Sequence, residues 1–240
     1  MRSAGQIVAV ALDAVFDALE PGITTAELDD IARRTIRAEG AKPAFLGLYG
    51  FPAVACISIN AEIVHGIPGE RVVSDGDLVS VDCGAIVDGF YSDCARTAVA
   101  GDNADDERLR LVDVCRTSLE DGIEQCVPHN RVGDISNAIE QFVREAGFEL
   151  VREYVGHGVG RSLHEPPPVP NVGNAGTGPL LMESMTIAIE PMIMLGSWET
   201  KVLDDGWTVV TADGSLSAHF EHTVAITADG PEVLTSAKNG

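Results

Sequence analysis

Residues 77–100 read DLVSVDCGAIVDGFYSDCARTAVA, two alternating runs that meet at Asp88-Gly89. An Asp-Gly pair between such runs signals a two-residue hairpin, because both central positions of the favoured turn need positive φ. With the turn at Asp88-Gly89, Val87 pairs with Phe90 and Gly84 with Asp93. Asp82, two residues from Gly84, then shares a face with Asp93 as its diagonal neighbour, roughly 7–8 Å away at Cα. Two carboxylates on one face repel unless something cationic lies between them. Taken alone, the pair is equally what one turn residue and one solvated acid would give.

Helices precede this hairpin. Ile7, Val8, Val10, Ala11, Ala14, Val15 and Leu19 follow a helical period, and Glu20-Pro21-Gly22 stops it. A second helix starts near Thr24-Thr25 and ends at Gly40. The same order returns later as a helix over 107–126, then Pro128, then a segment ending at Gly147. One constant offset aligns Pro21 with Pro128, Leu28 with Ile135, Ile36 with Val143, Arg37 with Arg144 and Gly40 with Gly147. Such matched anatomy suggests an internal duplication.

β-like runs follow each helical pair, at 54–60, 62–67, 77–87 and 90–100 in the first half. In the second they lie at 185–194, 207–211, 217–227 and near Val233-Leu234, after a Gly/Pro-rich stretch at 156–178. Helices segregated from antiparallel strands make the fold class α+β, with flanking helices and two pseudo-equivalent halves sharing one sheet. The halves are about 1–105 and 106–240, and no Gly/Ser/Pro-rich linker separates them, so 1–240 is expected to be a single domain.

The 240 residues carry 37 Asp+Glu against 16 Lys+Arg, a formal charge of −21. No Lys/Arg cluster is present, which argues against DNA, RNA or an anionic membrane as partner. Five cysteines without CxxC spacing fit free thiols in a reducing compartment. The apolar N-terminal stretch is interrupted by Asp13 and Asp17, no cleavage site follows it, and no run of ~20 apolar residues exists. A cytoplasmic location is expected.

Further polar residues sit inside apolar runs. Glu190 ends MTIAIE, and Glu221 reads as mid-strand in AHFEHTVAIT. His157 lies in GHGVG, where glycines permit tight turns and close backbone approach. His164 follows before Glu165-Pro166, and His65 stands at the turn-like end of a strand. Each alone is compatible with a surface or packing role, the role expected of His219 and His222. Together, four carboxylates and one imidazole make a mixed N/O set for Mn, Fe, Co or Zn, enough for two ions that share a water. HExxH, GxSxG, a P-loop and a dinucleotide fingerprint are all absent.

SINAEIVHGIPG, DGDLVSVDCGAIVDGFYSDCART, REYVGHGVGRSLHEPPPVPN, TIAIEPM and DGWTVVTADGSLSAHFEHT together resemble bacterial type I methionine aminopeptidases, in the right order and to about Leu234. The resemblance implies a pita-bread fold and a centre of two divalent metal ions (Co, Mn, Fe or Zn) held by Asp82, Asp93, His157, Glu190 and Glu221. Residues matching Asp93 and Glu221 bridge both ions, Asp82 completes one, and His157 with Glu190 the other. His65 and His164 are expected to touch substrate, and Phe51, Cys56, Leu163 and Trp207 to line a methionine pocket. The short interval from His164 to Glu190 leaves no room for the helical insertion of type II enzymes. Better-known relatives place a cysteine and tyrosines where Phe45, Leu48 and Phe51 stand, so the pocket wall is altered.

The implied activity is cotranslational removal of the initiator methionine by metal-activated water, when the second residue is small. Glu190 is the expected general base, with His65 and His164 as the other catalytic residues. The partner is a nascent chain beginning with Met, with ribosome proximity, and the protein is expected to act as a monomer. A proline-specific peptidase of the same fold, or an inactive binding module, remains the alternative at this stage.

Overall fold

Asp88 and Gly89 both take positive φ, 51° and 74°, as a tight hairpin turn of this hand requires. The strands Leu78–Val87 and Phe90–Val99 pair with Val87 opposite Phe90 and Gly84 opposite Asp93, the register read from the sequence. The computed structural model describes residues 1–236.

This hairpin forms part of a nine-stranded sheet built from both halves of the chain. On one side Leu78–Val87 receives Lys42–Pro43 and Ala55–Ile59. On the other, Phe90–Val99 joins Glu221–Thr227 through Glu221 opposite Ala95 and His222 opposite Cys94. The order then runs to Thr186–Ile189, Gly156–Gly158 and Glu165–Val169, while Gly230–Val233 pairs with Glu221–Thr227.

Four helices flank the sheet: α1 (Arg2–Asp17), α2 (Thr25–Ala38), α3 (Asp106–Glu124) and α4 (Val132–Glu145). Thr24 caps α2, accepting from the Glu27 N–H while Glu27 reaches back to the Thr24 N–H, so two otherwise orphaned donors are satisfied. Leu12, Leu28 and Ile36 of α1 and α2 are fully buried against Val79, Val81 and Cys83. Ile135 and Ile139 of α4 pack with Leu111 and Leu119 of α3 against Ile187 and Val224. Full burial of one such side chain is worth about 1.5–3 kcal/mol, so each helix pair holds its part of the sheet firmly.

Several expectations need correction. The runs 185–194 and 217–227 are not continuous strands. Each breaks, into Thr186–Ile189 and Met192–Met194, and into Ser217–His219 and Glu221–Thr227. Pro191 has no N–H to continue a ladder, and Met192–Met194 leaves the large sheet to pair with Ser217–His219 and Glu149–Leu150. A second small sheet joins Glu62–Val64, Val209–Thr211 and Thr200–Val202, so small sheets accompany the expected shared one. Glu221 therefore opens its strand instead of sitting in the middle. The Gly/Pro-rich stretch 156–178, not counted among the β-like runs, contributes the two strands Gly156–Gly158 and Glu165–Val169. Among the described residues, no helix is long and apolar enough to cross a membrane.

Candidate metal centre

Strand register brings the acids together. Asp82 stands opposite Ala95, and Ala95 opposite Glu221, in one row across three strands. The neighbouring row on that face contains Gly84 and Asp93, and farther along Ala188 and His157. Thr223, opposite Ala188, binds Asp93 in both directions, its Oγ1 accepting from the Asp93 N–H and donating to the Asp93 carbonyl. Glu190 follows Ile189, which pairs with His222, and so lies beside Glu221. Gly84, Ala95 and Ala188 alternate with the donors and leave the space above the sheet open. All five predicted donors line one cavity of about 560 Å³.

Ligand atoms of Asp93, His157 and Glu221 lie within 4.8 Å of one another. His157 Nε2 is 3.9 Å from Asp93 Oδ2 and 3.8 Å from Glu190 Oε1. Its Nδ1 is 2.9 Å from the Gly158 carbonyl oxygen, which only accepts, so Nδ1 carries the proton. Burial holds the His157 pKa down to about 4, outweighing that hydrogen bond, and the ring is neutral near pH 7. Nε2 therefore presents a lone pair to carboxylate oxygens.

The glycines beside His157 act by close approach and not by turning. A Cβ on Gly156 would lie 2.3 Å from the Ala188 carbonyl oxygen, and one on Gly158 2.2 Å from that of Pro166. Only bare backbone lets His157 sit between two neighbouring strands at this spacing.

Electrostatics agree with the geometry. Burial raises the carboxyl pKa of Asp93 to about 7 and, with the charge of Asp93 adding to it, that of Glu190 to about 8. Asp82 and Glu221 are pushed well above the ordinary carboxylate range by burial first and by Asp93 next. Asp82 Oδ1, Asp93 Oδ1 and Glu221 Oε1 are buried without a hydrogen-bond partner. Buried acceptors left unpaired are costly, and a cation satisfies several at once. These donors fit a divalent ion.

The cavity wall is apolar on one side. Cys56 stands opposite Asp82 on the adjoining strand, and burial keeps its thiol protonated, with its pKa well above the usual range. Phe45, Phe51, Cys56 and Leu163 pack in one buried cluster, with Leu48 and Trp207 against it. Phe51 meets Trp207 edge to face at 5.1 Å between centroids. His65 and His164 both line the cavity. His164 sits edge-on to His157 at 4.4 Å and stacks with Tyr49 at 5.9 Å. Burial lowers the pKa of both His65 and His164.

Two site residues went unread in the sequence. Tyr154 lines the cavity and meets His65 edge to face at 5.7 Å. His219, expected in a packing or surface role, is 1% exposed, and its Nε2 lies 3.8 Å from Glu190 Oε2. Its spacing of two from Glu221 was the available signal. His222 does fill a packing role, with Nδ1 2.8 Å from Thr235 Oγ1.

Comparison with known proteins places this geometry in company. The model of metallopeptidase family M24 matches residues 1–228. The methionine aminopeptidase of Clostridium perfringens is 53% identical over 238 residues, covering 99% of this chain and 95% of that protein. Methionine aminopeptidase 1 of Bacillus subtilis is 48% identical, with 98% and 94% covered. The crystal structure of the methionine aminopeptidase from Thermotoga maritima superposes with a TM-score of 0.97 at 46% identity, covering 98% of this chain and 95% of that one.

Proposed function

The chain belongs to metallopeptidase family M24, and from that membership and the geometry of its cavity we propose that it removes the N-terminal methionine from nascent proteins. The observation that carries this reading is the pairing of Cys56 with Asp82 across adjoining strands. A soft apolar wall then begins one strand spacing from the cluster of lone-pair donors. A thioether held against Phe51, Cys56, Leu163 and Trp207 leaves its own α-amine and carbonyl over the carboxylates.

Asp82, Asp93, His157, Glu190 and Glu221 would hold two divalent ions. When bound, such ions supply Lewis acidity that makes water nucleophilic near neutral pH and polarises the scissile carbonyl. Glu190, with its side chain 13% exposed against 6% for Asp93, is the acid best placed to accept a proton from that water. His164 lines the cavity with its ring 4.4 Å from that of His157 and donates to the developing oxyanion. His65 orients the scissile amide or delivers a proton to the leaving amine. The free α-amine of the substrate pairs with a ligand carboxylate, which favours cleavage from the end of a chain.

The chain acts as a single catalytic domain with halves of about 1–105 and 106–240, each contributing ligands to the shared sheet. It works in the cytoplasm as a monomer close to the ribosome. The net charge of −21 disfavours a direct contact with ribosomal RNA, so its macromolecular partner is the nascent chain itself.

Cleavage of Met-Ala-Ser, Met-Leu-Ser and Ala-Pro peptides across a panel of divalent ions tests the reading. Rapid metal-dependent cleavage of Met-Ala-Ser, with Met-Leu-Ser poorly cut, is expected. Preference for Ala-Pro would instead indicate a proline peptidase, and no cleavage with any ion an inactive binding protein.

A further inference from the structure

His219 ends the strand Ser217–His219, which belongs to a small sheet and not to the one that carries the five donors. The chain breaks at Phe220 before Glu221 opens the next strand, so the imidazole approaches the centre from beside the sheet. It is 1% exposed, and its Nε2 has no hydrogen-bond partner. The nearest acidic group is Glu190, with Oε2 3.8 Å away. The other oxygen of that carboxylate, Oε1, faces His157 Nε2 at 3.8 Å. Glu190 is thus held between two imidazoles, one per oxygen. Its backbone is fixed as well, since Asn171 Nδ2 donates to the Glu190 carbonyl at 3.0 Å.

A ring nitrogen left unpartnered in so dry a place costs on the order of 1–3 kcal/mol, and with the proton on Nε2 a carboxylate oxygen is the acceptor that relieves it best. Closing the gap takes a movement of roughly 0.6–1 Å to reach N–H···O range, within the reach of side-chain rotation. Carboxylates and imidazoles that bind metals are regularly oriented by such outer partners.

We propose that His219 is a positioning residue for Glu190, donating from Nε2 to Glu190 Oε2 so that Oε1 stays turned toward His157 and the ion-binding space. This inference rests on reading Glu190 as a metal ligand. His219 touches neither substrate nor ion and acts through the orientation of Glu190. A second consequence is that Oε2, loaded by one hydrogen bond, is the weaker base of the pair.

Manganese titration of the chelator-stripped full chain, followed by calorimetry, tests it with His219→Leu, His219→Gln and Glu190→Gln. His219→Leu removes the donor, and Mn affinity should fall about 10–100-fold with the number of ions bound unchanged. His219→Gln keeps an N–H at similar reach and should recover most of that loss. Melting of the metal-free variants, read in parallel, selects those that remain folded. A wild-type Mn affinity in His219→Leu overturns the proposal, provided Glu190→Gln binds Mn weakly. If Glu190→Gln also binds as wild type, Glu190 is not a ligand and the reading beneath the proposal fails instead. Loss of one whole ion in His219→Leu would make His219 a ligand and likewise overturn its positioning role.

Discussion

His157 turns Nε2 toward Asp93 Oδ2 across 3.9 Å while its Nδ1–H donates a hydrogen bond to the Gly158 carbonyl. Both atoms bring lone pairs to the gap. Neither relieves the other, and only a proton or a cation between them does.

Protons are the first competitor. In the metal-free protein, burial raises Asp93 from 3.8 to about 7 and Glu190 from 4.5 to about 8. Between the unfolded and folded values the native state binds more protons, so this contribution is full below about pH 4 and is lost as pH rises through 7 to 8. Glu190→Gln mimics the protonated acid. Metal-free Glu190→Gln should match wild type in melting temperature at pH 4 and exceed it at pH 8.5. Equal melting at both pH values would mean that Glu190 is not held in a charge-averse site.

His164 separates substrate contact from metal binding. Its ring borders His157, yet His164 is not among the close trio of donors, Asp93, His157 and Glu221. His164→Ala should lower kcat by about 10²–10³ on Met-Ala-Ser, the scale for removing one oxyanion donor. Bound metal, counted by mass spectrometry, should stay at the wild-type level. Metal loss would instead show that His164 helps hold the ions.

Backbone packing around His157 makes a third expectation. The Cβ of Gly158→Ala would stand 2.2 Å from the Pro166 oxygen and 2.8 Å from the Glu165 oxygen, so two strands must part. Overpacking of this kind costs about 1–3 kcal/mol. Gly158→Ala should therefore melt lower and bind Mn more weakly. Gly69→Ala, where a Cβ meets nothing within 4 Å, should do neither. If both variants match wild type, the glycine is not what seats His157.

The placement of Asp82 and Asp93 was legible because a two-residue Asp-Gly turn fixes register and a strand alternates with period two. Helix ends were legible for a similar reason, since Thr24 with Glu27 is a local cap. The route of the second half was not. Pro191 marks a break in MTIAIEPMIM, but nothing local says that Ile189 pairs in one sheet and Met192 in another. GHGVG read equally as turns or as close packing, and only the neighbouring strands decide for packing. His219 reads as a packing or surface residue because its spacing from Glu221 hints at the neighbourhood but not at its partner, Glu190, which lies on a distant segment.

Whether the converging carboxylates and His157 hold catalytic divalent ions is decided by one paired measurement at pH 7.5. Melting and Met-Ala-Ser cleavage are followed on the same sample with chelator, then with Mn restored, for wild type and Asp93→Asn. Ions that bind the native state alone stabilise it by about 2.7 kcal/mol at one hundred times Kd. Wild type should lose melting temperature and cleavage together under chelation and regain both with Mn, while Asp93→Asn should regain little of either. Identical melting curves with chelator and with excess Mn, and cleavage undiminished by chelation, would contradict it.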